Sequence, residues 1–129
     1  NATQLSSLFN DAFKNLPRTD LDISSWDASN VINISGMFDY DSSLVNLKFM
    51  KNLGKAYSTT SSANNYAYKL NLSYCTQLTH DSLMSVINNL YDIKSKGCNP
   101  QELILGSTNL AKLTAEEIAI ATNKGWTVS

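Results

Sequence analysis

Three groups of residues in this chain could do chemistry. The single histidine, His80, is followed by Asp81 and Ser82, the vocabulary of a base, an orienting carboxylate and a nucleophile. Neighbours in a helix point about 100° apart, so these three cannot relay a proton along one line. His80 is therefore expected to be a solvated residue in a helix's first turn. With one histidine, no nucleophile elbow and no glycine-rich phosphate loop, an enzyme is not expected.

The second group is acidic. Asp27, Asp39 and Asp41 raise the question of Ca²⁺, and Asp39-Tyr40-Asp41 has alternating ligands. A calcium loop also needs a central glycine and a bidentate glutamate at its twelfth position, which are missing here. Turn capping is the expected role. The third group is Cys75 and Cys98, too few for a disulfide framework or, with one histidine, for a metal site. A helical return of about 15 residues between them would span roughly 22 Å. A bridge needs Cα atoms within about 7 Å, so both thiols are expected to be free. No cofactor and no metal is expected.

The elements that must position these residues alternate in type. Leu5, Leu8, Phe9, Ala12, Phe13 and Leu16 fit one face of an amphipathic helix, with Thr3 as its cap and Pro17 as its stop. Strands are expected at Asp20–Ser24, Asn46–Met50, Lys69–Ser73 and Glu102–Gly106, with a short last one at Trp126–Val128. A helix with Leu83, Val86, Ile87 and Leu90 on one face should start from Thr79 and stop at Gly97. Thr114-Ala115-Glu116-Glu117 is a capping box, in which a hydroxyl and a carboxylate satisfy free backbone N–H groups; its helix should end at Gly125.

Composition bounds the rest. At 129 residues the chain reads as one domain, and its 43% hydrophobic content is globular. The formal charge of −1, with ten scattered Lys and Arg, gives no basic patch for nucleic acid or an anionic membrane. No apolar run approaches the ~20 residues of a membrane span. No secretory signal is visible, and a chain that begins at Asn1 is expected to belong to a longer polypeptide.

Within that chain the apolar/polar/apolar triplet Leu21-Asp22-Ile23 returns in altered form. Leading positions Leu21, Leu47, Leu70, Leu103 and Trp126 are spaced by 26, 23, 33 and 23 residues. Leu5-Ser6-Ser7-Leu8-Phe9 aligns with Ile34-Ser35-Gly36-Met37-Phe38. Such spacing predicts an α/β leucine-rich repeat solenoid: a short parallel sheet on the concave side, and helices or irregular turns on the convex side. The expected organisation is repeats over 1–50, a polar loop rich in Tyr, Ser and Asn over 51–69, and capping repeats over 70–129.

Trp26-Asp27-Ala28-Ser29-Asn30-Val31, followed by Gly36-Met37-Phe38, resembles the BspA-type (Treponema pallidum-like) leucine-rich repeats of bacterial surface proteins. The match is close over about residues 20 to 50, with Ala28, Ile34 and Asp41 departing from the family pattern. Leu72-Ser73-Tyr74-Cys75-Thr76-Gln77-Leu78-Thr79 is similar to the cysteine-bearing turn of many leucine-rich repeats. The resemblance implies a non-catalytic binding or adhesion module outside the cell, on a bacterial surface or a phage particle. Its partner would be a protein or glycan, or other subunits of a surface or virion assembly; the alternative is a structural C-terminal cap.

The surface for that role follows from strand alternation. With Leu21, Ile23, Leu47, Phe49, Leu70, Leu72, Leu103 and Leu105 inward, a column of Asp22, Lys48, Asn71 and Ile104 faces out. Asp20, Asn46, Lys69 and Glu102 flank it on one side; Ser24, Met50, Ser73 and Gly106 flank it on the other. Asp22 is within reach of Lys48. Trp26, Val31, Ile34, Met37 and Phe38 are expected to bury between units. Tyr57, Tyr66 and Tyr68 form a second candidate surface, since tyrosine among small polar residues suits recognition.

Overall fold

The structure, a computed structural model, describes residues 5–14, 16–56 and 69–129. Thr3 and the loop tyrosines Tyr57, Tyr66 and Tyr68 lie outside the described residues. The chain is mixed α/β, with short parallel sheets and three α-helices, and no closed barrel among the described residues. In order come β1 (Thr19–Asp22), β2 (Leu44–Lys48), β3 (Lys69–Asn71), α1 (His80–Asn89), β4 (Gln101–Ile104), α2 (Gly106–Leu110), α3 (Ala115–Asn123) and β5 (Trp126–Val128).

The expected helix over Leu5–Leu16 is not there. The segment is a succession of turns, and Ser7 and Asp11 sit at φ 58° and 61°, in the left-handed region that breaks a helix. Alternate N–H groups point sideways, while those of Leu8, Asn10, Ala12 and Lys14 turn back three residues and not the four of an α-helix. Those of Leu5, Ser7, Phe9 and Asp11 donate to the carbonyls of Asn33, Ser35, Met37 and Asp39 at 2.8–3.0 Å. The apolar spacing served these turns equally well: Leu5 is buried and Phe9 and Phe13 pack on the core, while Leu8 and Leu16 are about half exposed. Gly36 and Tyr40, 29 residues beyond Ser7 and Asp11, have matching φ of 68° and 65°.

Strand pairing is parallel, but in two sheets and not one. β1 pairs with β2, Leu21 opposite Leu47, and β3, β4 and β5 form the second sheet with Leu70 opposite Leu103. At the last strand the register differs from expectation. Leu103 faces Val128, and Trp126 faces Gln101, two residues from the sequence alignment. Among the described residues β2 has no neighbouring strand on its other side, where α1 takes that place. Ser82 Oγ donates to the Val45 carbonyl and accepts from the Leu47 N–H, both at 2.9 Å, and Ser85 Oγ accepts from the Phe49 N–H at 2.9 Å. Two hydroxyls one turn apart on a helix thus satisfy a strand edge that would otherwise stay unpaired.

Helix boundaries follow local chemistry. Thr79 caps α1, accepting from the Ser82 N–H, and Thr114 and Glu117 form the reciprocal capping box of α3, both as expected. α1 ends at Asn89 and not at Gly97; a separate 3₁₀ turn at Lys94–Lys96 is the element Gly97 stops, at φ 73°. Lys124 Nζ reaches the Ile87 and Asn88 carbonyls at the end of α1, where a cation is favoured. α2 is only five residues long, too short to show a helical period in the sequence. Gly125 permits a close approach: a Cβ there would stand 2.9 Å from Ile93 Cγ1 and 3.0 Å from the Lys94 nitrogen.

The core runs through both sheets. Ile23, Leu47, Phe49, Leu70, Leu72, Leu103 and Leu105 are all buried as expected, along with Val31, Ile34, Met37 and Phe38, and Trp126 is buried with them. Leu21 is only half-buried. Trp26 departs from expectation: it is 38% exposed and lies with its ring stacked on Phe9, centroids 6.1 Å apart.

Candidate functional site

The outward face of the strands starts from a local rule. At Asp22-Ile23-Ser24, Asp27-Ala28-Ser29, Asn33-Ile34-Ser35 and Asn71-Leu72-Ser73, the first side chain's oxygen accepts the N–H of the serine two residues on. The middle residue is buried each time, and in three of the four the serine hydroxyl bonds the same oxygen. This Asx turn ends each strand or coil and turns an apolar side chain into the core.

The eight residues expected to line one surface fall into two groups of four. Asp20 faces Asn46 and Asp22 faces Lys48 on the first sheet; Lys69 faces Glu102 and Asn71 faces Ile104 on the second. Asp20, Asp22, Lys48 and Lys69 are exposed, and Asn46, Asn71, Glu102 and Ile104 half-buried. On the outer flank, Ser24, Ser73 and Gly106 are half-buried, but Met50 is fully buried: β2 ends at Lys48, so the alternation that would point Met50 outward has stopped.

Much of this polarity is satisfied internally. Asn46 Nδ2 donates to Asp20 Oδ1 at 2.8 Å, and Lys69 meets Glu102 at 3.5 Å across the strands. Asp22 Oδ1 accepts from both the N–H and the hydroxyl of Ser24, at 2.9 and 2.6 Å, and no ion pair joins it to Lys48 among the described residues. Those bonds hold it below its ordinary range, against slight burial, with Lys48 adding a smaller attraction. Asp27 is held to about 2, first by the Ser29 hydroxyl and then by Asn52 Nδ2.

The other candidates resolve individually. His80 is partly exposed but bonded: its Nε2 lies 2.6 Å from Glu117 Oε2, joining α1 to the capping box of α3. That bond raises the imidazole above its usual value, while burial opposes it. Glu117 is lowered first by the Thr114 N–H and then by His80. Asp81 Oδ1 lies 3.5 Å from His80 Nδ1, but Ser82 is turned away and buried against β2, so the three do not form a relay. Asp41 is buried, with Oδ1 accepting the Phe13 N–H at 3.1 Å, a turn-tethering role. Among the described residues no group of three His, Cys, Asp or Glu side chains could hold a metal ion.

Neither cysteine is in a disulfide. Cys75 is fully buried and its thiol is pushed up to about 12, chiefly by burial and then by Asp41 and Asp39. A disulfide-exchange reagent at pH 8 should therefore modify the half-buried Cys98 in the native protein and reach Cys75 only after denaturant is added. Rapid native labelling of both would contradict the burial described.

One functional-looking residue escaped sequence reasoning. Asn109, fully buried on α2, donates from Nδ2 to the Leu72, Cys75 and Leu105 carbonyls and accepts from Lys112. It ties the β3 turn to α2, which makes it structural. A buried asparagine inside a short, unforeseen helix carries no periodic signal. No protein-family model, no curated protein and no solved structure matches the chain.

Proposed function

We propose that this chain is a non-catalytic binding module of the BspA-type leucine-rich repeat kind. It would be displayed on a bacterial surface or phage particle and recognise a protein or glycan through the outward side chains of its parallel strands. The observation that carries the reading is the β1–β2 patch, where Asp20, Asp22, Asn46 and Lys48 stand outward on adjacent strands in fixed register. The Asn46–Asp20 and Ser24–Asp22 bonds hold two carboxylates in place before any ligand arrives, which lowers the ordering cost of binding. Asn71, Ile104, Lys69 and Glu102 offer a second, less exposed patch.

The test is a glycan array and a panel of extracellular matrix proteins probed with the purified chain. A ligand found there should bind at least about tenfold more weakly to the Asp22→Ala/Lys48→Ala double variant, equivalent to ~1.4 kcal/mol. Thr108→Ala, at an exposed position of α2, should leave affinity unchanged. Undiminished binding by the double variant sinks the patch.

A second reading, a structural closing unit of a longer solenoid, has its own support. α3 packs on β5 and on α1, and Trp126 is buried beneath. The opposite end, at Leu5–Leu16, has no such cover among the described residues.

A further inference from the structure

The two turn segments supply their own comparison. Ser7 and Asp11 match Gly36 and Tyr40 in backbone conformation at a spacing of 29, so Ser6, Leu8 and Asn10 stand where Ser35, Met37 and Asp39 do. The carbonyls of Ser35, Met37 and Asp39 accept the N–H groups of Ser7, Phe9 and Asp11. Those of Ser6, Leu8 and Asn10 accept no hydrogen bond among the described residues. The side chains differ in the same way. Met37 is 1% exposed, with the Leu5–Asp11 segment bonded alongside it; Leu8, its counterpart, is 47% exposed. Among the described residues β1 likewise has a strand partner on one side only.

We infer that the outer side of Leu5–Asp11 is a docking edge for a further turn segment of its own kind. That segment would run parallel and donate N–H groups from alternate residues to the Ser6, Leu8 and Asn10 carbonyls. The occupant is specified by what the same backbone form already does one unit along: three N–H donors at i, i+2 and i+4, and apolar side chains that cover Leu8. A helix cannot supply this, since its N–H groups are spent on its own carbonyls. A second, identical outer edge cannot supply it either, because it would set carbonyls against carbonyls. The inference rests on the second reading above and deepens it; binding by Asp22 and Lys48 is a separate matter.

The experiment joins a second copy of residues 1–29 ahead of Asn1 of the full chain. In the copy, the amides corresponding to Ser7, Phe9 and Asp11 should exchange about a hundredfold more slowly than in a free peptide of residues 1–29. The melting temperature should rise by roughly 2–8 °C, as added stacked units raise the stability of such an array. Leu8→Asp in the original unit should abolish both effects, yet barely move the melting point of the unextended chain, where Leu8 is solvent-exposed. Peptide-like exchange in the copy overturns the inference. So does protection found only in an oligomer by size-exclusion chromatography, which would place the contact between chains. In either case the glycan and protein panels still report on the Asp22 patch independently.

Discussion

Trp126→Ala is expected to lower stability by about 3–5 kcal/mol, the range for truncating a large buried aromatic side chain. The indole is 1% exposed and its Nε1 donates to the Tyr91 carbonyl at 3.0 Å. Its Cζ2 lies 3.1 Å from where a Cβ on Gly54 would stand, so the ring also fills the space that glycine leaves. Removing it takes away the apolar contact between β5 and the rest of the core and deletes a donor. Trp126→Phe should retain most of the contact area and cost less, about 1–3 kcal/mol, because the carbonyl loses its partner but the cavity is smaller. Urea denaturation would measure both: the midpoint should fall in the order wild type, Phe, Ala, with a steady slope. An alanine variant within ~1 kcal/mol of wild type would mean that β5 contributes little to the core.

Asp41→Asn is expected to do the opposite above neutral pH. Burial pushes the Asp41 carboxyl up to about 6 from an ordinary 3.8; the Phe13 N–H bond works against this, and Asp11 and Asp39 add to it. One buried carboxylate oxygen, Oδ2, has no hydrogen-bond partner among the described residues. The folded state therefore keeps a proton that the unfolded chain has already released. Between pH 3.8 and about 6 the unfolded state binds fewer protons, so this group's contribution to stability falls as pH rises through that window. A shift of that size corresponds to about 3 kcal/mol, complete above the folded-state value. Asparagine keeps an oxygen to accept from Phe13 and carries no charge. The variant should be more stable than wild type by roughly 1–3 kcal/mol at pH 7.5 and nearly equal at pH 3.5. Equal stability of the two proteins at pH 7.5 would show that the buried carboxylate is not penalised.

The sequence was most legible where chemistry is local. Thr79 and the Thr114–Glu117 box were readable as caps, because a hydroxyl bonding an N–H three residues ahead depends on nothing farther away. The inward positions Leu47, Leu70 and Leu103 and the pairings of Leu21 with Leu47 and of Leu70 with Leu103 were readable from alternation and spacing.

The misreadings share a cause: backbone groups with more than one possible partner. Leu5, Phe9 and Phe13 recur every four residues, which suits a helix. It equally suits turns whose N–H groups bond a neighbouring segment, and only Asn33–Asp39 decides between them. At β2, Ser82 and Ser85 replaced the expected neighbouring strand and split one sheet into two, an exchange invisible until α1 lies against it. Asp22 was readable as an outward residue, but strand alternation alone points it to Lys48 and not to Ser24, which engages it. That local bond is the Asx turn, written plainly as Asp-x-Ser.

The most direct measurement is of the hydrogen bonds that stack one turn segment on the next. In NMR, scalar couplings across hydrogen bonds should connect the amide nitrogens of Leu5, Ser7, Phe9 and Asp11 to the carbonyl carbons of Asn33, Ser35, Met37 and Asp39. Couplings that instead run from each residue to the one four before it, within Leu5–Leu16, would restore the helix. They would remove the stacked segments and the open edge together.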